Sequence, residues 1–384
     1  MRIVVLGATG NVGTSLLDAL RGDPRVDFIL GVARRLPART DERVEWTRAD
    51  IAVDELTPLV RGADCVVHLA WLIQPSRDLS RLRRVNVDGS ARVFRAVADA
   101  GVRSLVYASS VGAYSRGPKD RLVDESWPTD GIPTSFYSQH KAAVERQLDR
   151  FEQEHPDLRV VRLRPALTFK RESAEGQRRL FAGPFLPSPL VRRGLIPFVP
   201  DVEGLRFQAV HSYDVGNAYR LAALGDVRGA FNVAAEPIID PDALACLLHA
   251  RKLPLPPGVL RGAAAATWKL RLQPSPPGWV DLALQTPLLD TARARHELGW
   301  EPRFSGLDAL SDAIAGIREG SGAATPPLDP SKYARRGTGD ARRWGRMISR
   351  SEAEAERTEV AERTEVQLRL RQLFSRLQGG VDRR

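Results

Sequence analysis

Tyr137 and Lys141, at the two ends of the segment YSQHK, are residues whose types and spacing could carry out acid–base chemistry. Because they stand at positions i and i+4, they would lie on one face of a helix. A free tyrosine, with a pKa of about 10, is a poor base at neutral pH, but a nearby ammonium group favours the phenolate. The same spacing is compatible with plain surface packing, so its meaning depends on the elements around it.

Three glycines after the first apolar run indicate a turn that binds phosphate. Residues 3–6 read as a buried strand, and Gly7, Gly10 and Gly13 follow in the segment GATGNVG. Glycines permit a tight turn and close approach of the backbone to a pyrophosphate, whose charge the next helix N-terminus would stabilise. A position between a strand and a helix is the one that a dinucleotide-binding motif requires.

The exit of the second predicted strand, in VDFILGVARRLP (residues 26–37), bears on the choice of dinucleotide. NAD sites usually have an acidic residue about 20 positions after the glycines, bonded to the ribose hydroxyls. This chain has Ala33, Arg34 and Arg35 there. Because a guanidinium binds a 2′-phosphate and a carboxylate repels it, we expect NADP to be favoured over NAD. The alternative is that both arginines are simply solvated.

Apolar runs and helical patterns alternate along the first half of the chain. Further strands are predicted in EWTRADI, DCVVHLA, SLVYASS and RVVRLRP, which cover residues 45–51, 64–70, 104–110 and 159–165. Helical spacing is present in residues 14–22, around Leu56 and Leu59, and in residues 79–101. This alternation predicts an α/β fold of the Rossmann type, a doubly wound parallel sheet with a smaller C-terminal substrate-binding region.

The order of these motifs resembles the short-chain dehydrogenase/reductase superfamily in its extended, NAD-dependent epimerase/dehydratase-like branch. Besides the glycine motif and YSQHK, the matching segments are HLA (68–70), NVDGS (86–90), SSVGAY (109–114), FQAVHSYDVGNA (207–218), FNVAAEP (231–237) and LDTARARHELGWEP (289–302). The resemblance extends over residues 1 to about 318. It implies an enzyme that transfers a hydride at a carbinol or carbonyl carbon, with the cofactor supplying the hydride chemistry.

The resemblance also implies roles for individual residues. The implied catalytic set is Ser110, Tyr137, Lys141 and Asn86. Ser110 is preferred to Ser109 because its offset to Tyr114 matches the family's position, and Asn86 corresponds to an asparagine that shapes the helix beside the site. The implied cofactor contacts are Gly7, Thr9, Gly10, Asn11, Val12, Gly13, Arg34, Arg35, Asp50, Ile51, Leu69, Ala70, Tyr137, Lys141 and Pro165.

The kind of reaction stays open at this point. Epimerases of this branch oxidise and reduce one substrate in succession and retain the cofactor, whereas carbonyl reductases stop after one transfer. A third interpretation is a regulator or scaffold that binds NAD(P) without turnover, and the complete set of Ser110, Tyr137 and Lys141 argues against it.

The predicted substrate-binding region departs from the sugar-nucleotide members of the branch. Leu167 stands where those members have an asparagine, and Phe207, with Arg206 beside it, stands where they often have an arginine for the diphosphate. Apolar residues near the expected pocket favour an apolar or aromatic small-molecule substrate, or else belong to the core. They are Trp71, Leu72, Ile73, Phe169, Phe181 and Phe185. Two interpretations are open for a further set of arginines: they contact a phosphate, or they lie on a solvated face. They are Arg178, Arg179, Arg192 and Arg193.

We predict a division of the chain into four parts. Residues 1–165, with 206–235 returning to them, form the dinucleotide-binding core, and residues 166–205 and 236–318 bind the substrate. Residues 319–350, rich in Gly, Pro and Arg, are expected to be a flexible linker. The charged tail, 351–384, contains AERTEV twice and then apolar residues at helical spacing: Val366, Leu370, Leu373, Phe374 and Leu377. Such a helix could bind an unknown partner or pack weakly on its own domain.

Composition and charge limit the classes of partner. The net charge is +10, but the basic residues are spread along the chain, and we do not expect nucleic-acid binding. The cysteines, Cys65 and Cys246, suit a reducing cytoplasm and show no metal-ligand spacing, so we expect no metal. No apolar run reaches the roughly 20 residues of a transmembrane helix, and the chain begins directly with a strand, which leaves no room for a signal peptide. We therefore expect a cytoplasmic protein and, by resemblance, a homodimer.

Overall fold

The alternation of strands and helices predicted for the first 165 residues is present in the structure. The computed structural model describes residues 1–37, 43–73, 76–181, 196–270 and 275–330, without the side chains of Glu175, Arg179 and Phe181. These residues belong to one compact unit, Met1–Pro330. The second unit, Ser331–Arg384, lies outside the described residues, and so do the predictions made for it.

Short strands and helices make up most of the described chain. The strands are β1 (Arg2–Leu6), β2 (Phe28–Ala33), β3 (Glu45–Arg48), β4 (Cys65–His68), β5 (Ser104–Ala108), β6 (Leu122–Val123), β7 (Arg159–Pro165), β8 (Leu167–Phe169), β9 (Phe198–Asp201), β10 (Phe207–His211), β11 (Gly229–Val233), β12 (Ala235–Ile239), β13 (Arg251–Pro254) and β14 (Leu288–Leu289). The α-helices are α1 (Asn11–Arg21), α2 (Thr57–Val60), α3 (Leu79–Arg83), α4 (Gly89–Asp99), α5 (Phe136–Glu154), α6 (Ala174–Phe181), α7 (Ser212–Leu224), α8 (Pro241–Leu248), α9 (Pro257–Lys269), α10 (Gly278–Gln285), α11 (Ala292–His296) and α12 (Gly306–Glu319).

The main sheet contains the apolar runs recognised in the sequence and one further strand, β11. Its order is β11-β7-β5-β4-β1-β2-β3, and every pairing is parallel. The chain adds strands outward from β1 to β3 on one side and then from β4 to β11 on the other. The α/β fold with a doubly wound parallel sheet is therefore confirmed.

Both faces of this sheet are buried, which explains the continuous apolar runs. Ile3 and Val5 of β1 face one core, where α1 and α7 pack against the sheet. Val4 and Leu6 face the other core, beneath α4 and α5. Alternate residues of one strand thus point to opposite cores, as the two-residue period of a strand requires.

Smaller sheets lie in the C-terminal half of the described chain. Strands β8, β10 and β12 form one, and the pairs β9–β13 and β6–β14 form two others. Helix α12 packs on the first of these, and its core includes Phe169, Ala209, Ile239, Ala309 and Ala313. Among the described residues, no helix is both long enough and apolar enough to cross a membrane.

Several element boundaries differ from the predictions. The third strand ends at Arg48, and the predicted single helix over 79–101 is α3 and α4 joined by a π-helical turn, Arg84–Asp88. The predicted division into cofactor and substrate parts stays a prediction, since both lie within the one compact unit. Residues 321–330, at the start of the predicted linker, contain turns in which Leu328 is buried.

Candidate functional site

The glycine turn lies at the carboxyl end of β1, where its backbone is packed too closely for a side chain. Gly7 has a φ of +88°, and a Cβ there would lie 2.7 Å from the backbone nitrogen of Ala70. At Gly13, a Cβ would lie 2.5 Å from the carbonyl oxygen of Gly7. Gly10 caps α1 without a side-chain hydrogen bond, and the first turn of α1 has no acidic residue. The unpaired N–H groups of that turn suit an anion such as a pyrophosphate.

The other predicted cofactor contacts surround this turn. Thr9 is buried, Asn11 and Val12 begin α1, and Leu69 donates its backbone N–H to the carbonyl of Leu6. Pro165 is the last residue of β7, which lies two strands from β4 in the sheet. These residues therefore lie at strand ends or on the first turn of α1, the region where doubly wound sheets bind ligands.

The exit of β2 carries a group of positive charges. Arg34 lies 4.0 Å from the carboxylate of Asp50, and Arg35 is exposed. Burial lowers the pKa of Arg34, and the charge of Asp50 acts in the opposite direction. The charges of Arg35 and Arg81 lower this pKa further. Arg81 of α3 therefore lies close enough to the β2 exit to contribute to its potential. The sequence analysis missed Arg81, because it belongs to a helix that follows a different strand.

Asp50 and Ile51, which follow β3, hold the adjacent backbone in place. Asp50 accepts a hydrogen bond from the backbone N–H of Ala52. Ile51 is buried against Gly89, where a Cβ would lie 3.0 Å from its side chain. The close packing of Ile51 on the first residue of α4 fixes this edge of the candidate cofactor site.

Tyr137 lies in the first turn of α5, beside the end of β5. Ser135 caps this helix by accepting a hydrogen bond from the N–H of Ser138, so the helix start determines where Tyr137 lies. Burial raises the pKa of Tyr137 to about 12, and a side-chain hydrogen bond with Ser110 acts in the opposite direction. The Ser138 hydroxyl donates to the carbonyl of Gly112 at 2.5 Å, which joins α5 to the turn that follows Ser110. The structure thus brings Ser110 and Tyr137 together.

Lys141 lies one helical turn beyond Tyr137 and is almost completely buried. Its ammonium donates to the carbonyl of Ala108 at 2.6 Å and lies 3.6 Å from the ring centroid of Trp71. The ring centroid of Tyr137 is 6.0 Å from the same nitrogen. Burial lowers the pKa of Lys141 to about 7, and the charge of Glu145 acts in the opposite direction. The pair predicted from YSQHK therefore shares one helix face, as expected.

Ser109 makes a different contact from Ser110. Its hydroxyl donates to the carboxylate of Glu145 at 2.5 Å, whereas the Ser110 hydroxyl accepts from the backbone N–H of Gly112 at 3.0 Å and lies beside the ring of Tyr137. The geometry thus favours Ser110 over Ser109 as the serine beside the phenol.

Glu145 is a residue of this region that the sequence analysis missed. Its carboxylate is fully buried and accepts hydrogen bonds from Arg162 and Arg164 of β7. The available signal was a glutamate at i+4 from Lys141, together with arginines at alternate positions of the otherwise apolar strand RVVRLRP.

Asn86 is fully buried in the π-helical turn and contacts the segment that follows β4. Its side-chain oxygen accepts from the N–H of Leu72 at 2.7 Å, and its nitrogen donates to the carbonyl of the same residue at 3.1 Å. Asn86 therefore holds the backbone next to Trp71. These contacts give it a positioning role and do not include Tyr137 or Lys141.

Two tryptophans flank Tyr137. Trp71 meets the phenol ring edge-on with centroids 6.1 Å apart, and Trp279 of α10 lies at 5.2 Å with a tilt of 31°. Both indole N–H groups are buried and have no hydrogen-bond partner among the described residues. Trp279 reaches this position because α10 begins very close to residue 134, where a Cβ on Gly278 would clash with the Thr134 carbonyl. Trp71 was expected near the pocket from the sequence, whereas Trp279 was not.

Other predicted pocket residues lie elsewhere. Phe169, Leu167 and Phe207 pack in the core beneath α12, so of the two interpretations left open for Phe169 the core is the one that applies. Leu72 contacts Asn86, and Ile73 is partly exposed. Phe185, Arg192, Arg193 and the side chains of Arg179 and Phe181 lie outside the described residues, and Arg178 belongs to α6. Arg206 donates to the carbonyl of Lys119.

Known proteins resemble most of this chain in sequence. Residues 3–182 match the model of the NAD dependent epimerase/dehydratase family. An uncharacterized protein of Mycobacterium tuberculosis is 26% identical over 366 residues, which cover 89% of this chain and 90% of that protein. The UDP-glucose 4-epimerase of Mycolicibacterium smegmatis is 27% identical, with coverage of 84% and 100%. A sterol-4-alpha-carboxylate 3-dehydrogenase of Saccharomyces cerevisiae is 26% identical over 62% of this chain and 66% of its own length.

Solved structures share the fold. The UDP-glucose 4-epimerase of Thermus thermophilus in complex with NAD has a TM-score of 0.62 and 21% identity, and the match covers 83% of this chain and 99% of that one. MoeE5 in complex with UDP-glucuronic acid and NAD has a TM-score of 0.61 and 22% identity, with the same coverage. Residues 3–182 are thus similar to the NAD dependent epimerase/dehydratase family, and the solved structures share the fold of this chain.

Proposed function

We propose that this protein transfers a hydride at a carbinol or carbonyl carbon, with Ser110, Tyr137 and Lys141 around the reacting atoms. When bound, the nicotinamide nucleotide supplies the hydride donor or acceptor. The observation that carries the proposal is the contact of Tyr137 with Ser110 beside Trp71, one residue from the Ala70 that touches the glycine turn. A phenol, a hydroxyl and an ammonium thus meet next to a turn built for phosphate.

The residues around the glycine turn fit a dinucleotide. The lack of room for a Cβ at Gly7 and Gly13, and the uncapped first turn of α1, suit a pyrophosphate held by backbone N–H groups. The Lys141 ammonium can bond ribose hydroxyls, and it lies on the same helix face as the phenol. Asn86 contributes indirectly, by holding the Leu72 backbone.

The protein's own part in the reaction is the movement of one proton. In the oxidative direction Tyr137 accepts the proton of an alcohol, and in the reductive direction it donates a proton to a carbonyl oxygen. Ser110 bonds the same oxygen and stabilises the charge that develops on it. Lys141 favours the phenolate form of Tyr137 when its ammonium is charged.

NADP is the cofactor that the β2 exit favours. Arg34 and Arg35 occupy the place where an NAD site has a carboxylate, and Arg81 adds a third positive charge nearby. Asp50, 4.0 Å from Arg34, compensates only part of this charge. A 2′-phosphate would meet a net positive potential there. The Thermus thermophilus epimerase and MoeE5 structures are NAD complexes, so the preference is a property to be measured on this chain.

The surroundings of Tyr137 favour a substrate with an apolar ring. Trp71 and Trp279 offer flat apolar faces, and each has a buried indole N–H with no partner among the described residues. Such donors suit a ring that carries one oxygen acceptor. The yeast relative is named as a sterol-4-alpha-carboxylate 3-dehydrogenase, and the mycobacterial one as a UDP-glucose 4-epimerase. The aromatic contacts favour the first kind of substrate, and with it a reductase or dehydrogenase.

The test follows turnover of the full-length protein with NADPH or NADH and three substrates: cyclohexanone, tetralone and UDP-glucose. We expect NADPH oxidation with a ring ketone and tighter binding of NADPH than NADH. Tyr137→Phe should lower turnover by at least about a hundredfold, the lower bound for general acid–base catalysis, while the nucleotide still binds. Arg34→Ser/Arg35→Ser should weaken binding of NADPH alone.

Tyr107→Phe is the matched control, because the Tyr107 hydroxyl is buried and has no hydrogen-bond partner among the described residues. Full activity of Tyr137→Phe would exclude this tyrosine as the acid–base group. Tighter binding of NADH would contradict the cofactor preference. If the protein converts UDP-glucose and its bound nucleotide remains after dialysis, the result would contradict the reductase proposal and favour an epimerase.

We also infer a homodimer formed through the helices that carry Asn86 and Tyr137, as the family resemblance implies. Sedimentation equilibrium of the purified chain measures this directly. A monomer at micromolar concentration would contradict it.

A further inference from the structure

Three consecutive residues at the end of β5 each contact a different turn of α5. Ser110 lies beside Tyr137, the carbonyl of Ala108 accepts from Lys141 at 2.6 Å, and Ser109 donates to Glu145 at 2.5 Å. The three α5 residues follow one another at intervals of four, so they form one stripe along the helix. The strand end and the helix are thus joined at three points, and two of these points are the groups of the proposed reaction.

Glu145 occupies the third of these points, and every hydrogen bond of its carboxylate is internal. One oxygen accepts from Ser109 and from Nε of Arg164 at 2.9 Å, and the other accepts from Arg164 at 3.0 Å and Arg162 at 2.9 Å. Burial alone would raise the pKa of Glu145, but Arg164 and Arg162 lower it to about 2. Glu145 is therefore an anion throughout the working pH range.

Lys141 is faced by few other groups that can change its charge. His68 of β4 and Tyr107 of β5 lie beside it, and both are fully buried. Burial lowers the pKa of His68 to about 3 and raises that of Tyr107, so both are neutral near pH 7. Tyr137 is also neutral there. Glu145 is the group that counteracts the effect of burial on Lys141.

We propose that Glu145 is a positioning residue of this site: its buried carboxylate holds the Ser110-bearing strand end on α5, and its negative charge, one helical turn from Lys141, favours the ammonium form of that lysine. The inference rests on the proposed function for its meaning, because a charged Lys141 matters only if Tyr137 exchanges a proton. Its physical content, the link between the Glu145 charge and the Lys141 charge, does not depend on turnover. In this arrangement Arg162 and Arg164 keep Glu145 ionised.

The test measures the charge of Lys141 directly in the full-length protein. Competitive labelling with acetic anhydride over a range of pH, read by mass spectrometry of the Lys141 peptide, gives the midpoint of its deprotonation. Glu145→Gln should move this midpoint to lower pH by about one unit or more, because it removes the negative charge that counteracts the effect of burial on Lys141. The alkaline limb of turnover should move with it.

Two controls separate charge from structure. Asp149→Asn removes another carboxylate of α5 that bonds Arg162 at 2.6 Å, and it should leave the midpoint unchanged. Ser109→Ala removes the third contact and keeps the charge, so it should lower turnover several-fold at an unchanged midpoint. If Glu145→Gln does not fold, the double variant Glu145→Gln/Arg164→Gln removes the uncompensated charge and should still lower the midpoint.

A wild-type midpoint in a folded Glu145 variant would overturn the proposal. An equal shift in Asp149→Asn would also overturn it, because the effect would then be general to α5. Absence of turnover with every substrate would count against the proposed function only, since the labelling experiment contains no substrate.

Discussion

Burial acts in opposite directions on the two titratable residues of the proposed site. It raises the pKa of Tyr137 to about 12 and lowers that of Lys141 to about 7, because loss of water disfavours the charged form of each. Near pH 7 the phenol of the unliganded protein is therefore protonated, and Lys141 is about half charged. Such a site is better prepared to donate a proton to a carbonyl than to accept one from an alcohol.

Carbonyl reduction should therefore decrease as the pH rises through about 7, where Lys141 loses its charge while Tyr137 keeps its proton. The measurement is kcat/KM at saturating reduced nucleotide, from mildly acidic to mildly alkaline pH. Lys141→Arg remains charged at every pH in this range, so its kcat/KM should not decrease as the pH rises through about 7. The same decrease of kcat/KM in Lys141→Arg would show that a group other than Lys141 causes it.

Sequence patterns identified the residues that lie within one motif. The spacing in YSQHK located Tyr137 and Lys141 on one face of α5, and the SSVGAY segment located Ser110. Glu145, Trp279 and Arg81 were missed because they join the site only through packing. Glu145 depends on the arginines of β7, and Trp279 depends on the close approach of α10 to residue 134.

At the scale of elements, the turn after β5 is shaped to the phenol of Tyr137. It is a 3-10 turn, Val111–Ala113, in which a Cβ on Gly112 would lie 2.7 Å from the ring of Tyr137. Real Cβ atoms do not approach other atoms this closely, so either the turn or the ring must move if Gly112 is replaced. The distance between Ser110 and Tyr137 would then increase.

Gly112→Ala should consequently lower turnover by about tenfold or more and leave nucleotide binding unchanged, since a misplacement of about 1 Å has such effects. Steady-state rates and nucleotide titrations on the same preparation measure both. Gly262→Ala in α9 is the control, because nothing lies within 4 Å of its added Cβ. It should stabilise the helix by about 0.5–1 kcal/mol and not affect turnover. Normal turnover in Gly112→Ala would show that this turn adapts.

Element types were easier to predict than their boundaries. The strands β1, β4 and β7 are rich in apolar residues because both faces of the sheet are buried, and this made them recognisable even where buried polar residues interrupt β4 and β7. The π-helical turn Arg84–Asp88 was missed. It brings three consecutive residues, Val85, Asn86 and Val87, into the interior, and a regular helical period does not predict such a run.

At the scale of the whole unit Met1–Pro330, the two cores on either side of the main sheet are apolar apart from a few buried polar groups. His68, at the end of β4, is one of these. Its Nε2 lies 3.0 Å from the Ser90 hydroxyl, and its Nδ1 has no partner among the described residues. Burial, and then the charge of Lys141, lower the pKa of His68 to about 3. The folded state therefore keeps this ring neutral.

This exclusion of a proton makes stability depend on pH. Below pH ~6.5 the unfolded chain binds a proton at His68 that the folded chain does not, so stability should fall as the pH decreases from 6.5 towards 3. His140, whose pKa burial also lowers, contributes in the same direction. The carboxylate of Glu145, whose pKa is lowered to about 2, adds to acid lability only below the usual glutamate range. Between pH ~6.5 and ~4.5, therefore, the histidines contribute to the loss of stability and Glu145 does not.

His68→Gln should reduce the loss of unfolding free energy between about pH 7.5 and 4.5 by about 2.7 kcal/mol, since this range extends two units below the usual histidine pKa and each unit corresponds to about 1.4 kcal/mol. Urea unfolding at the two pH values measures the difference, and comparison within each variant removes the cost of the lost contact with Ser90. His296→Gln, at the exposed end of α11, is the control and should behave as the wild type. If His68→Gln loses as much stability as the wild type over this interval, the acid sensitivity comes from other groups. The folded state would then not hold the His68 ring neutral.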